Sequence, residues 1–246
     1  MKNLLKRLRD RLVARFRMFL RIPANYVGDN GCVRAAATFA AWNQVEGDYL
    51  EFEVWRGYSF VTAYQQVLAE RESHHRLGYN TAEYTDWKSQ RPRFFAFDSF
   101  QGLPSGDAAR MVDYGVGAYA CSRGDFVTNL QDQGVDLNDV VIVEGLYDRT
   151  CVDETKRSHN LKKAAIVMID CDLYESTVPV LDFLTDLVQQ GTILIFDDWF
   201  RFKGNPAFGE QRACREWLAR NPQIELVEFW RQGPQAVAFL VNLKTQ

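Results

Sequence analysis

Seven short runs of strand-forming residues alternate with helical patterns from residue 48 onward, and this alternation most restricts the fold. The predicted strands cover residues 48–55, 93–98, 140–144, 164–170, 192–197, 224–230 and 236–242. Strands that are separated by helices pair in parallel, with the helices on both faces of the sheet. Only residues 231–235 separate the last two strands, which is too short for a helical crossover and predicts an antiparallel hairpin.

A parallel sheet that ends in an antiparallel hairpin is not the usual layout of a dinucleotide-binding dehydrogenase. By analogy of fold, it resembles class I methyltransferases. A chain of 246 residues with 47% apolar residues has room for one such domain and a short accessory piece. We therefore predict an α/β, Rossmann-like domain over residues 26–246, with a seven-stranded, mostly parallel sheet and helices on both faces.

Residues 1–21 form a separate basic segment. They hold eight lysines and arginines against one acid, a net charge of +7, whereas the whole chain has a net charge of −3. Leu4, Leu8, Leu12, Phe16 and Leu20 recur four residues apart, which places an apolar stripe on one side of a helix and arginines on the other. We predict a basic amphipathic helix over residues 1–25.

Three interpretations of this helix stay open. It can pack on the domain or on a second subunit of a homo-oligomer, bind an anionic lipid surface, or serve as a mitochondrial presequence. Arginines interrupt every apolar run that a secretory signal would need, and no uncharged apolar stretch of about 18 residues exists for a membrane span. We expect a cytoplasmic protein, with peripheral membrane contact through residues 1–21 as the alternative.

Charge, cysteines and histidines argue against three further kinds of protein. A net charge of −3 does not suit a nucleic-acid binder, which normally has a basic balance. The five cysteines have no CxxC spacing, so we expect reduced thiols and neither a disulfide framework nor a zinc knuckle. The three histidines lack the spacing of metal ligands, and His74 and His75 are predicted to lie on the surface.

The first predicted strand runs into a turn and a helix, where α/β proteins often bind a cofactor. Glu51 and Glu53 lie near the end of the strand, and Gly57 and Ser59 precede a helix predicted over residues 60–70. Glycines let a nucleotide-like cofactor approach the backbone, and helix amides can then meet a carboxylate or phosphate. Only Gly57 fully meets this need, and the Glu53 carboxylate would crowd an anionic group, so an ordinary strand-to-helix turn is the alternative.

Asp98 ends the second predicted strand and is followed by Ser99. An acid at this place typically accepts hydrogen bonds from the two ribose hydroxyls of an adenosine cofactor. The alternative is that Asp98 only caps the turn that follows. Ligands of open α/β sheets lie outside the carboxyl ends of the strands, so this acid and the first loop are expected to face one crevice.

Acidic residues also follow two buried apolar strands, and they form the strongest candidate site. Asp170 and Asp172 come after one strand, and Asp197 and Asp198 come after the next. Carboxylates gathered at adjacent strand ends repel one another unless a cation or raised pKa values compensate. All-oxygen ligands suit Mg²⁺ or another hard divalent cation. For Asp172 and Asp198 in particular, helix caps or solvated loop acids are the alternative.

Three segments make the chain recognisable. FDSFQGLP at residues 97–104, IDCDLYEST at residues 169–177 and DDW at residues 197–199 resemble the patterns FDSFEGLP, IDxDLYEST and DDY of the macrocin O-methyltransferase family. The similarity extends over about residues 45–241. It implies a metal-dependent class I enzyme that uses S-adenosyl-L-methionine to methylate a hydroxyl of a sugar on a small molecule or glycan.

The resemblance also implies roles for single residues. Asp170, Asp197 and Asp198 correspond to metal ligands, Asp170 is also the candidate catalytic base, and Asp98 is the candidate ribose acceptor. The residues that we assign to the cofactor are Glu51, Glu53, Gly57, Ser59, Asp98 and Ser99.

Three departures from the family pattern affect these expectations. Glu53 stands where the family commonly has a glycine, Leu146 where a tryptophan is frequent, and Trp199 where the third motif usually ends in tyrosine. The carboxylate of Glu53 opposes cofactor binding, whereas the other two changes would mainly reshape the substrate side. The alternative function is therefore a binding or scaffold protein on a methyltransferase fold that has lost cofactor binding through Glu53.

Overall fold

The computed structural model describes residues 30–76, 82–105 and 115–244. The seven strands are β1 (Asp48–Phe52), β2 (Phe94–Asp98), β3 (Val140–Glu144), β4 (Ala164–Ile169), β5 (Ile193–Phe196), β6 (Ile224–Gln232) and β7 (Ala236–Leu243). They form one sheet in the order β3-β2-β1-β4-β5-β7-β6. The amphipathic helix predicted over residues 1–25 lies outside the described residues.

Eight described helices surround the sheet. They are α1 (Gly31–Trp42), α2 (Tyr58–Arg76), α3 (Ala82–Ser89), α4 (Arg123–Asp132), α5 (Tyr147–Thr150), α6 (Asp153–Ser158), α7 (Tyr174–Leu184) and α8 (Gly209–Arg220). Short 3₁₀ turns occur at Leu137–Asp139 and Phe202–Gly204. Within the described ranges, no helix is long and apolar enough to span a membrane.

The pairing of the strands confirms the predicted fold class. Strands β1 to β5 pair in parallel, and β7 pairs antiparallel with both β5 and β6. Residues 233–235 connect β6 to β7, so the last two strands form the expected hairpin. The order of the sheet reverses between β1 and β4, which is where open α/β sheets bind their ligands.

Side chains of alternate strand residues fill two cores, one on each face of the sheet. Phe52, Phe97, Ile169 and Phe196 belong to the core that also holds Trp217 of α8. Residues at intervening positions pack against α1 and α2 on the opposite face. Strands β1, β2, β4 and β5 are buried along their whole length, as expected for a parallel sheet that is covered on both sides.

Two expectations about single side chains have different outcomes. All five cysteines are free thiols, as the scattered spacing predicts. The prediction that His74 lies on the surface is wrong, because its side chain is buried among Trp42, Tyr84 and Trp87. The aromatic residues that cover His74 come from α1 and α3, so its own helix gave no local signal of this burial. The side chain of His75 lies outside the described part.

Candidate active site

The register of the parallel strands places four acids in one row across the sheet. Phe52 pairs with both Phe97 and Ile169, and Ile169 pairs with Phe196. The next residue along each of these strands is an acid, and the four acids are Asp98, Glu53, Asp170 and Asp197. Neighbouring strands lie about 4.8 Å apart, so the row concentrates negative charge at the carboxyl ends of β2, β1, β4 and β5.

Backbone hydrogen bonds hold the beginning of each turn that follows. The amide of Glu53 donates to Phe97 at 2.9 Å, that of Asp170 donates to Phe52 at 3.1 Å, and that of Asp197 donates to Ile169 at 3.0 Å. The hydrogen bonding of the parallel sheet therefore extends one residue beyond β1, β4 and β5, to the acid that follows each strand. The acids are consequently held by the sheet and not by a loose loop.

Two cavities open at this row, and they share Glu53. The Asp98 cavity has a volume of about 200 Å³ and includes Ser99, Leu146 and Glu175 in its wall. The carboxylate cavity has a volume of about 280 Å³ and is lined by Glu53, Trp55, Tyr119, Asp170, Asp172, Asp197, Asp198, Arg201 and Gln235. Ligand sites usually measure about 300 to 1,000 Å³, so a cofactor together with an acceptor would need both cavities.

Glu53 adopts a backbone conformation that is unfavourable for a residue with a side chain. Its φ angle is 71°, in the left-handed region, where glycine is strongly favoured. Burial raises the pKa of its carboxyl well above the usual value, and Asp98 and Asp198 raise it further. The structure therefore gives a backbone reason for a glycine at this position and places the Glu53 carboxyl between the two cavities.

Asp98 is held by the backbone around it. Its Oδ2 accepts hydrogen bonds from the amides of Val54 at 2.9 Å and Trp55 at 3.2 Å, and its Oδ1 accepts one from Phe100 at 2.6 Å. Burial raises the pKa of Asp98, and these three hydrogen bonds oppose the increase. A carboxylate has about four acceptor positions, so Asp98 caps its own turn and keeps some capacity for a ligand hydroxyl.

The carboxyls of Asp170 and Asp197 lie together under strong mutual repulsion. Burial raises the pKa of Asp170 well above its usual value, and the charges of Asp197 and Asp198 raise it further. Burial and Asp198 raise the pKa of Asp197 to about 7, although a hydrogen bond with Asp170 partly opposes this increase. A proton shared between the two carboxyls, or a bound cation, relieves such repulsion.

Asp198 makes different contacts from these two acids. Its Oδ1 lies 3.4 Å from Nε of Arg201, and its backbone amide donates to Glu210 at 3.1 Å. Over residues 30–76, 82–105 and 115–244, no three or more His, Cys, Asp or Glu side chains are arranged as a ready-made metal site. The oxygen donors of Asp170, Asp197 and Asp198 are of the type that Mg²⁺ prefers, but their arrangement does not form a closed set of ligands.

Three predicted cofactor residues lie behind the cavity walls. Glu51 is fully buried, and its carboxylate accepts hydrogen bonds from Tyr49 and, at 2.6 Å, from Ser59. Burial raises its pKa to about 8. Gly57 has a φ angle of 81°, and a Cβ atom there would lie 2.9 Å from the Phe126 ring. These contacts shape the loop from within, whereas Glu53, Asp98 and Ser99 line the cavities.

The two other departures from the family pattern have separate positions. Leu146 is 41% exposed and lines the Asp98 cavity. Trp199 packs its ring against Phe196 and Phe239, with centroids 4.9 Å away in both cases. Leu146 can therefore change what the cavity admits, while Trp199 contributes to packing of the hairpin on β5.

Several residues of the site were missed by sequence reasoning. Trp55, Tyr119, Arg201 and Gln235 line the carboxylate cavity, and Glu210 lies buried behind it. Gln235 reaches the cavity because the terminal hairpin folds back beside β5. The sequence held one usable signal, since Trp55 lies between Glu53 and Gly57 in the first loop. The others come from distant segments that only the tertiary structure brings together.

Comparison with known proteins supports both the fold and the family. The model of the family described as macrocin-O-methyltransferase (TylF) matches residues 30–217. No curated protein sequence matches the chain. Among solved structures, the O-methyltransferase NovP is 22% identical, with a TM-score of 0.64 over 87% of this chain and 80% of NovP.

Two further structures share the architecture. The calicheamicin methyltransferase CalS11 is 23% identical, with a TM-score of 0.59 over 84% of this chain and 77% of CalS11. The O-methyltransferase TomG from Streptomyces achromogenes, solved with S-adenosyl-L-methionine (SAM), is 12% identical. Its TM-score is 0.55 over 94% of this chain and 86% of TomG. At these identities, the structural likeness establishes the fold.

Proposed function

The chain belongs to the macrocin-O-methyltransferase (TylF) family, a family of O-methyltransferases, and we propose that it transfers a methyl group from SAM to a sugar hydroxyl with the help of a divalent cation. The row of four acids at the carboxyl ends of β2, β1, β4 and β5 carries this proposal. The row joins a cavity at Asp98 to a cavity at Asp170 and Asp197.

The Asp98 cavity suits the adenosyl part of SAM. Asp98 keeps acceptor capacity beyond its three backbone hydrogen bonds, and Ser99 and Leu146 add polar and apolar contacts to the same wall. The presence of SAM in the related fold of TomG supports this assignment. Glu51, Gly57 and Ser59 would then act by holding the loop in shape. Glu53, at the junction, would lie beside the reactive end of the cofactor.

Asp170, Asp197 and Asp198 are the residues that would hold the cation. Their oxygen donors fit a hard ion, and burial together with the neighbouring acids raises the pKa of Asp170 and Asp197, which a bound cation would counteract. When bound there, a divalent cation would stabilise the ionised carboxylates and lower the pKa of a nearby hydroxyl. The present contact of Asp198 with Arg201 would have to loosen for all three side chains to converge.

Asp170 is the proposed base. A sugar hydroxyl has a pKa far above 7, so its oxygen needs to lose a proton as it attacks. The new C–O bond forms while the C–S bond of the sulfonium breaks, and the hydroxyl proton passes to a carboxylate oxygen of Asp170. The remaining catalysis is alignment of oxygen, methyl and sulfur, which can contribute up to roughly 7 to 11 kcal/mol.

The aromatic side chains of the carboxylate cavity suit a sugar acceptor. Trp55 and Tyr119 both line the cavity, with their ring centroids 6.1 Å apart in an edge-on arrangement. Tyrosine and tryptophan combine a large apolar surface with a polar group, which suits a ring that carries both hydroxyls and C–H faces. The family resemblance supports the same class of acceptor.

Binding and transfer measurements on the full chain test this proposal. We expect calorimetry to detect SAM with a micromolar dissociation constant, about −8 kcal/mol. Mass spectrometry should detect methyl transfer to nucleotide-activated or glycosylated acceptors, with loss on chelation and recovery on addition of Mg²⁺. Absence of any SAM signal would instead favour the scaffold alternative, in which Glu53 blocks the cofactor. Transfer that is insensitive to chelation would contradict the metal requirement.

A further inference from the structure

Glu210 is a buried carboxyl that joins the two acid-bearing turns from behind. It lies in the first turn of α8 and is 1% exposed. Its Oε2 accepts a hydrogen bond from the amide of Asp198 at 3.1 Å, and its carboxyl lies beside the backbone of Cys171. Cys171 directly follows Asp170, and Asp198 directly follows Asp197. One side chain therefore contacts the backbone of both turns just beyond the acids of the row.

The backbone around Glu210 leaves this carboxyl little freedom to move. Gly209, the preceding residue, has a φ angle of 52°, and a Cβ atom there would lie 2.7 Å from the Phe202 ring. Further along α8, Ala213, Cys214 and Trp217 are buried in the core that also holds Phe52 and Phe97. The helix is therefore anchored on the same side as its buried carboxyl, and Glu210 is held at a fixed distance from the sheet.

Burial of this carboxyl is costly, which calls for a compensating role. Its Oε1 has no hydrogen-bond partner among the described residues. An unsatisfied buried polar atom destabilises the folded protein, and an apolar side chain at this position would avoid that cost. An apolar residue could not accept the hydrogen bond that the amide of Asp198 donates to Glu210.

We propose that Glu210 is a positioning residue, which holds the turns after β4 and β5 at the separation that lets Asp170 and Asp197 act together. This inference rests on the proposed function for its consequence, although the contacts themselves do not depend on it. The sheet ladder ends at Asp197, whose amide donates to Ile169, so Glu210 supplies the connection between the turns beyond that point. The hydrogen bond to Asp198 and the contact with Cys171, and not the charge of the carboxyl, account for this role.

Two conservative variants separate the hydrogen bonds from the charge. Glu210→Gln keeps the length of the side chain and an oxygen acceptor but removes the charge. Glu210→Asp keeps the charge but shortens the side chain, so that its carboxyl no longer reaches the backbone of both turns. Glu216→Asp is the matched control, because Glu216 lies on the same helix and makes surface contacts with Tyr174 and Arg212.

The first readout needs neither metal nor substrate. Hydrogen exchange of the amides at residues 170–173 and 197–199 should become faster in Glu210→Asp and stay near wild type in Glu210→Gln and Glu216→Asp. Exchange in β3 should not change in any variant, because β3 lies at the far edge of the sheet. Equal exchange in Glu210→Asp and wild type would overturn the inference, as would a rise spread evenly over the domain.

The second readout is binding of Mn²⁺, followed by paramagnetic resonance, together with kcat and the KM for SAM. We expect Glu210→Asp to bind Mn²⁺ about 10 to 100 times more weakly than wild type. Its kcat should be lower, and its KM for SAM should be unchanged. Glu210→Gln should recover most of that loss. The reverse order of the two variants would show that the charge matters and would overturn the positioning role.

The measurements distinguish a failure of the proposed function from a failure of the inference about Glu210. Wild-type protein that binds no Mn²⁺ and transfers no methyl group contradicts the metal-dependent reaction, whereas the exchange measurement still decides whether Glu210 holds the two turns. Normal Mn²⁺ binding and turnover in both Glu210 variants would overturn only the inference about Glu210.

Discussion

Asp98 and Asp170 occupy the same row of acids, two strands apart, but their surroundings differ. Three backbone amides donate to Asp98, and they counteract the rise of its pKa on burial. Around Asp170, burial and four neighbouring acids all raise the pKa. The three amides therefore stabilise the first carboxylate, whereas the second needs a proton or a cation to relieve the repulsion. The difference suggests that Asp98 has a binding role and Asp170 a chemical one.

The largest expected effect is on Asp170. The variant Asp170→Asn keeps the shape of the side chain but cannot accept the hydroxyl proton, so kcat should fall by a factor of about 10² to 10⁴. SAM binding should persist, since Asp98 is in the other cavity. Asp172→Asn is the control within the same cavity and should lose much less activity. Substantial turnover in Asp170→Asn, measured by mass spectrometry, would refute the assignment of the base.

The second prediction concerns Asp98. In Asp98→Asn, an amide nitrogen replaces one acceptor oxygen, so a backbone donor and a ligand hydroxyl lose their partner. Hydrogen bonds to charged groups contribute about 1.5 to 3 kcal/mol, and SAM should bind more weakly by that amount. Asp148→Asn changes an exposed acid of the same cavity and should have little effect in calorimetry. An unchanged affinity of Asp98→Asn for SAM would mean that Asp98 only caps its turn and does not bind the cofactor.

The surroundings of Glu51 differ from those of both Asp98 and Asp170. Its carboxyl has side-chain hydrogen-bond donors and is completely buried. Its folded-state pKa of about 8 lies above the usual 4.5, so the folded protein retains a proton that the unfolded chain has lost. The stability that this group contributes is fully present below pH 4.5 and is lost as the pH rises towards 8.

Urea unfolding of wild type and Glu51→Gln over this pH range isolates the effect of Glu51. The stability of wild type relative to the variant should fall by up to about 1.4 kcal/mol per pH unit. Parallel stability curves for the two proteins would show that Glu51 does not titrate in this way.

The smallest predicted effect separates charge from backbone strain at Glu53. Glu53→Gly and Glu53→Ala both remove the carboxylate between the cavities, and both should bind SAM more tightly than wild type in calorimetry. Only glycine relieves the left-handed φ angle of 71°, so it should be more stable than alanine by about 1 kcal/mol in urea unfolding. Weaker SAM binding in both variants would mean that the Glu53 carboxylate assists the cofactor.

The fold could be predicted from the sequence because the patterns that indicate it are local. Alternating apolar runs, helical spacing and a short final connection predict a parallel sheet with a closing hairpin, and each of these is confirmed. The pairing of Asp170 with Asp197 could also be expected, because both directly follow buried strands. The assignment of these acids as metal ligands and base stays a prediction.

Other parts of the site could not be predicted because they depend on segments far apart in sequence. Glu210 looks like an ordinary acid in the first turn of a helix, and its burial arises only when α8 packs beside the ends of β4 and β5. Gln235 reaches the carboxylate cavity through the terminal hairpin, and Tyr119 reaches it from the chain before α4. Nothing in the spacing of these residues indicates a shared site.

The sequence by itself determined which strands end in acids, because apolar runs and the residues that follow them are local properties of the chain. The tertiary structure decided the surroundings of each of those acids. Strand order and register bring Glu53, Asp98, Asp170 and Asp197 into one row. Backbone amides donate to the carboxylate of Asp98, whereas the carboxyls of Asp170 and Asp197 repel each other. That distinction depends on distances between side chains and amides, which no local pattern encodes.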